Sequence, residues 1–298
     1  MPPTPALFQP PRRSRHRRLQ LLLAVGTLVC TAIAFGMTGS PERITSHPSG
    51  DKKSPLVMLI GEVHDNAAQH AIQEQTLEML FESGIRPALL MEQINRERQA
   101  EIDHLLASGK ATADDIARVA QQGNEGGNWN WDYYRPLVEL ALRYELPIIA
   151  ANISRSDTHR IIQDGLARHG FDNEIPDDIA SAQTQQMIGA HCGLIGKAAG
   201  RLMVTAQVAR DQYMASLVAH HAGRGVILIA GNGHVRRDIG VPRWLSAELQ
   251  SRAISVGLVE NENSPSAAFD RVITTPPQER PDPCLAMRDS LPRAGHGI

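Results

Sequence analysis

Two stretches of the sequence, Gly61-Glu62-Val63-His64 and Gly231-Asn232-Gly233-His234, each set an imidazole three residues after a glycine that ends an apolar run. Glu62 and His64 are two apart, so a chain still extended there carries both side chains on one side. Glu92 follows Leu89-Leu90-Met91, Asn152 follows the apolar residues 148–151 with Arg155 just beyond, and Arg236 comes two residues after His234. Two chemistries suit such a set. Imidazole nitrogen and carboxylate oxygen can hold a divalent metal such as zinc or manganese, with His64, Glu92 and His234 as ligands and open positions for water or substrate. Alternatively Glu62, His64, Glu92 and His234 act as acids, bases and their orienters in a hydrolysis, with Arg155 or Arg236 stabilising developing negative charge. The chain has no Gly-x-Ser-x-Gly elbow, phosphate-binding glycine loop or His-Glu-x-x-His helix.

Residues so far apart meet only if the elements before them end at one place. The runs 56–60, 88–91, 148–151 and 226–230 are short and continuously apolar, the pattern of parallel strands covered on both faces. Residues 253–259 and 270–275 extend the same sheet. Between the runs lie helical periods: 69–81 with Asp65 or Asn66 as N-cap, 133–144, and a longer one at 199–221. The alternation predicts an α/β fold, a mostly parallel central sheet with helices on both faces. The polar helices 99–107 and 113–120, the glycine-rich stretch 123–128 and residues 177–200 read as a helical lid or subdomain. In open sheets of this kind the carboxyl ends of the strands form the ligand crevice, where Glu62, His64, Glu92, Asn152 and His234 are expected to converge. Gly61, Gly231 and Gly233 suit tight turns at positive φ.

Residues 1–37 carry five arginines and no acid ahead of an apolar run, which reads as a signal peptide or an N-terminal anchor. Residues 38–54 are a linker, 55–280 the folded domain and 281–298 a tail. Without the leader the chain has 25 basic and 32 acidic residues, a formal charge of −7. Such a body lacks the basic surface that nucleic acid requires. Membrane contact is expected only through the N-terminal segment, and the location is the periplasm or the outer face of the inner membrane. The leader's removal leaves Cys192 and Cys284, which an oxidising compartment makes a disulfide pair.

Taken together, Leu59 to Asn66 with His70, Met91-Glu92-Gln93, Trp131 to Pro136, Ala150 to Arg155, Ala209-Arg210-Asp211 and Gly231 to Arg236 with Gly240-Val241-Pro242 resemble the ChaN-like family of the Tiki superfamily. The resemblance implies an exported haem binder in iron or haem uptake, working as a homodimer around cofacial haems. It also implies tyrosinate ligation with help from histidine. Of the four tyrosines, Tyr133 and Tyr134 are the implied ligands, with His64, Arg155, His234 and Arg236 completing the cofactor-binding set. The wider superfamily implies the rival, metal-dependent or acid–base hydrolysis by the same residues. The chain has no Cys-x-x-Cys-His, which rules out covalent haem attachment.

Overall fold

The computed structural model describes residues 55–122, 129–261 and 266–290. The leader, the linker, the glycine-rich stretch and the last eight residues lie outside them. In chain order the first half comprises β1 (Val57–Glu62), α1 (Ala67–Glu82), β2 (Ala88–Asn95), α2 (Gln99–Ala107), α3 (Ala113–Ala120), α4 (Trp131–Arg143) and β3 (Ile148–Asn152). The second half comprises α5 (Arg155–Asp164), α6 (Asp177–Ala190), α7 (Lys197–His221), β4 (Val226–Gly231), α8 (Asn232–Val235), α9 (Ala247–Arg252), β5 (Ile254–Val259), β6 (Arg271–Thr274) and α10 (Pro283–Ser290). Among the described residues no helix is long and apolar enough to cross a membrane.

The strands form one sheet in the order β3-β2-β4-β1-β5-β6, and every pairing is parallel. Their apolar runs are continuous because both faces are covered. Met58, Ile60, Leu89, Met91, Ile227 and Ile229 pack with Leu77, Phe81, Leu137 and Val138 of α1 and α4. Val57, Leu59, Leu90, Leu228 and Ala230 pack on the other face with Met214, Val218 and Leu249 of α7 and α9. The two short polar helices do not stand apart as a lid. Ile102 of α2 and Ile116 and Ala120 of α3 are fully buried in the first of these cores. The separate helical unit lies further on, where α5, α6 and the first half of α7 enclose Ile153, Ile161, Ile179, Val204 and Val208.

The strand order fixes where a cleft can form. From β1 the chain crosses to β2 over one face through α1, while from the neighbouring β4 it crosses to β5 over the other through α8 and α9. Adjacent strands whose chains leave to opposite faces open a crevice at their carboxyl ends. Glu62 and Gly231, partners in register, are the last residues of those two strands.

Asn66 caps α1, its side-chain oxygen accepting from the Gln69 amide at 3.1 Å. The same side chain donates to Glu260 and to the Pro276 carbonyl. Arg280 then bonds both Asp65 and Glu260, at 2.7 to 2.9 Å. The tail thus runs from β6 along the turn after β1 and reaches the loop between α6 and α7, where Cys192 and Cys284 form the expected disulfide. The bridge spans 92 residues of sequence. A crosslink closing so long a loop stabilises by about 2–5 kcal/mol, largely by restricting the unfolded chain. Cys284→Ser, or reductant with the wild type, is expected to lower stability by that amount in denaturant melts. Identical melts for oxidised, reduced and substituted protein would show that the bridge does not constrain the fold.

Candidate functional site

Glu62 ends β1 with its side chain wholly buried. A carboxylate removed from water costs several kcal/mol unless its lone pairs are satisfied. Here Oε1 accepts the Tyr134 hydroxyl at 2.6 Å and the Gln93 amide at 3.3 Å, and lies 2.9 Å from His64 Nδ1. Oε2 accepts the Gln73 amide at 2.7 Å and lies 3.7 Å from His70 Nδ1. Burial alone raises the carboxyl's pKa, but the His64 hydrogen bond, the His70 and His64 charges and the Tyr134 hydroxyl outweigh it, so Glu62 is held below its ordinary value. It is an ionised group in a dry place.

Glu92 does the same at the next strand. Its Oε2 accepts the Gly231 amide at 2.7 Å and its Oε1 lies 3.3 Å from His234 Nε2. On its other side, His234 Nδ1 meets Asp211 Oδ1 at 2.6 Å, and Gln183 bonds the second oxygen of Asp211 and the Ile239 carbonyl. Burial would strip the proton from His234, yet the charges of Glu92 and Asp211 prevail and raise its pKa to about 10. Glu92 is correspondingly lowered, the His234 charge overcoming the upward push of burial. For Asp211 burial wins, and its pKa is raised. His234 is therefore an imidazolium clamped between two carboxyl groups.

The two halves touch through their glycines. A Cβ on Gly231 would sit 3.0 Å from His64 Cε1 and 3.1 Å from its Nε2, with Glu92 Oε2 at 3.7 Å. A Cβ on Gly61 would collide with Asn232 and Val235. Each glycine makes room for side chains of the opposite turn. Neither these two nor Gly233 has a positive φ, so close approach and not backbone freedom is what demands glycine at Gly61 and Gly231. His64 comes out of this contact with 44% of its side chain exposed, its ring edge-on to Trp129 with centroids 4.7 Å apart. Burial lowers its pKa, but the Glu62 bond and the Glu92 charge overcome that and raise it.

The structure thus brings Glu62, His64, Glu92 and His234 together at the carboxyl ends of β1, β2 and β4. Tyr134 is fully buried beside them, its hydroxyl spent on Glu62; burial and that negative charge push its ionisation far up. Tyr133 is partly buried and stacks on His70 at 4.6 Å. Asn152 ends β3 and accepts from Arg210 Nε at 3.1 Å. Arg155 is exposed at the first residue of α5, and Arg236 pairs with Asp238 at 2.6 Å. His64, Glu92 and His234 are neighbours, but among the described residues no three His, Cys, Asp or Glu are arranged to hold a metal ion. The reason is visible in His234, both of whose ring nitrogens face carboxylates.

Sequence reasoning left Gln73, Arg210 and Asp211 out of the site. Their signal is a polar residue inside a buried helical stripe: Asp211 falls in the run Val204, Val208, Asp211, Ala215, Val218 of α7. Gln69, Gln73 and Thr76 line the inward face of α1 in the same way.

Residues 52–245 match the family described as haem-binding uptake, Tiki superfamily, ChaN. No curated protein sequence matches the chain. Among solved structures, that of ChaN from Campylobacter jejuni, described as binding haem cofacially, aligns with a TM-score of 0.60 at 20% identity over 74% of this chain and 87% of that one. The likeness extends to the fold. A variant of the erythromycin esterase EreC in its open conformation aligns with a TM-score of 0.43 at 14% identity, over 75% of this chain and 77% of its own.

Two outcomes follow from the geometry. Gly61→Ala drives a Cβ into Asn232 and the buried Val235, and overpacking of this kind is expected to cost about 1–3 kcal/mol in a denaturant melt; an unchanged melt would show that the turns are loosely packed. The second concerns pH. His234 has a folded pKa of about 10, above the ordinary value of about 6.5 in the unfolded chain. Its stabilising contribution is complete below the unfolded value and disappears as pH rises through the folded one. Stability should therefore decline between about pH 7 and pH 10, with a shallower decline in His234→Gln. Equal slopes for the two proteins would contradict the clamped imidazolium.

Proposed function

Since the chain belongs to the ChaN family of haem-binding uptake proteins within the Tiki superfamily, we propose that it is an exported haem-binding protein of iron or haem handling, with its ligand site at the cleft between β1 and β4. The observation that carries the proposal is the condition of His64. Its Nδ1 is held 2.9 Å from a buried carboxylate, its Nε2 has no hydrogen-bond partner among the described residues, and 44% of the side chain is open to solvent. A carboxylate behind one ring nitrogen fixes the tautomer and orientation of a ligating histidine and leaves the other nitrogen for a metal.

The surroundings suit a flat, largely apolar group. Trp129 stands edge-on to His64, and Tyr133 lies over His70. Bound haem supplies a ferric centre that accepts hard anionic and imidazole ligands. Of the two tyrosines, Tyr133 is assigned to that centre, because its hydroxyl has no hydrogen bond among the described residues, whereas the Tyr134 hydroxyl is committed to Glu62. Tyr134, Glu92 and His234 serve as supports that hold His64 and the Gly231 turn in place. The disulfide supports export, since such bridges persist in oxidising compartments.

One observation favours a second reading. A histidine backed by a carboxylate is also the base and orienter of an acid–base hydrolase. Titration with haemin separates the two. A saturable Soret shift is expected with wild type, weakened at least tenfold in His64→Ala and altered in its ligand-to-metal bands in Tyr133→Phe. A flat titration, accompanied by ester or peptide cleavage that His64→Ala abolishes, would remove the haem reading and leave the hydrolase.

A further inference from the structure

At the carboxyl end of β3 four arginines gather, and the acids there divide unevenly among them. Asp157 takes two of them: Arg96, at 3.0 Å through Nε and 2.5 Å through Nη2, and Arg160. Glu97 is engaged by the Ser154 hydroxyl at 2.7 Å. Arg210 and Arg155 are left over. Arg210 spends only its Nε, on Asn152, and no acceptor among the described residues meets its two terminal nitrogens. Arg155, next to the Ser154 cap of α5, has no hydrogen bond or ion pair among them either.

The nearest acids do not supply the missing acceptors. Glu92 gives one oxygen to the Gly231 amide and faces His234 with the other. Both oxygens of Asp211 are taken, by His234 and Gln183. A partly buried guanidinium whose terminal N–H groups meet no acceptor is costly, and the cost shows: burial lowers the Arg210 pKa despite the opposing charges of Glu92 and Asp211, and the Arg155 charge lowers it further. Arg210 is bonded to Asn152, three residues before Arg155, and the Arg155 charge acts on it; two such arginines with donors to spare are what a carboxylate recognises through parallel hydrogen bonds.

We propose that Arg210 and Arg155 form a fork for a carboxylate carried by the molecule that occupies the cleft. The haem reading enters at one point, in making that carboxylate a porphyrin propionate. The charges of Glu92 and Asp211 act on Arg210, which sets the fork on the Glu92–His234–Asp211 side of the site; it would govern which molecule is held and how it is turned, while His64 and Tyr133 would hold the iron of a bound haem.

The test compares haemin with its dimethyl ester, which keeps the macrocycle and removes both carboxylates, and follows melting in glutarate as a probe free of porphyrin. Wild type is expected to bind haemin at least tenfold more tightly than the ester, and Arg155→Gln and Arg210→Gln each to bring the ratio within about threefold of unity by weakening haemin alone. Arg155 is exposed, so its substitution leaves the fold intact, and Arg210→Lys checks that the paired geometry and not the charge alone is needed. Equal affinity of wild type for the acid and the ester overturns the fork and leaves the haem reading standing. If neither porphyrin binds, the haem reading fails by itself; a glutarate-induced rise in melting temperature that both glutamine variants lose then supports the fork, and no rise in wild type overturns it.

Discussion

Everything at the cleft depends on two carboxylates, Glu62 and Glu92, being kept ionised at the dry rim of a buried sheet. Neither could exist there alone. Desolvating a charge costs more than a single hydrogen bond returns, so each is surrounded by donors from several elements: α1, α4 and β2 for Glu62, β4 and the turn after it for Glu92. The arrangement is mutually binding. Removing one donor leaves a buried charge under-satisfied, which is why elements distant in sequence are fixed to one another at this point and the imidazoles have so little freedom. His64 and His234 then differ in kind. His234 has carboxylates on both nitrogens and 7% of its side chain exposed, a structural cation. His64 has one nitrogen engaged and an open ring, a group with bonding capacity to spare.

The sheet order makes this convergence unavoidable. With β4 inserted between β2 and β1, Glu62, Glu92 and Gly231, from the carboxyl-terminal halves of three strands far apart in sequence, become neighbours. The helices they feed part to opposite faces, and a parallel sheet buried on both sides offers no other open ground for polar side chains. The missing Cβ atoms of Gly61 and Gly231 then let the turns after β1 and β4 interlock. Strand order places the polar groups at one rim; glycine lets them reach contact distance.

Much of this was legible in the sequence because burial on both faces leaves an unmistakable mark. Residues 56–60, 88–91, 148–151 and 226–230 read as strands, and the structure has strands at each. The residues at their ends could be named because glycine, acid and imidazole stand out after an apolar run. What stayed hidden was carried by helices. Asp211 and Gln73 look like ordinary polar residues of amphipathic helices until the inward face of α7 or α1 is known. The glycines suggested positive φ, whereas a shortage of space across the cleft is what fixes them, and no one-dimensional pattern reveals which turn will face which. The two polar helices after β2 were misplaced for a related reason: α3 buries a narrow stripe under a charged exterior, so its mean composition conceals its place in the core.

The matched family residues stop at 245, yet the chain beyond them is bound to the site. Arg280 holds Asp65, the residue after His64, and Asn66 reaches the Pro276 carbonyl, so the turn that presents the imidazole rests on the tail as well as on the sheet. The disulfide then anchors that tail to the loop ahead of α7. Between the two cysteines lie Arg210, Asp211, Gly231 and His234, the second half of the cleft. A covalent link around that segment narrows the unfolded ensemble from which it must be assembled. Its end points are the loop between α6 and α7 and the tail after β6, so the crosslink ties the chain beyond residue 245 to the segment that carries this half of the cleft. The tail is thereby fixed at two places, to the turn that presents His64 and to the loop ahead of the helix that carries Asp211.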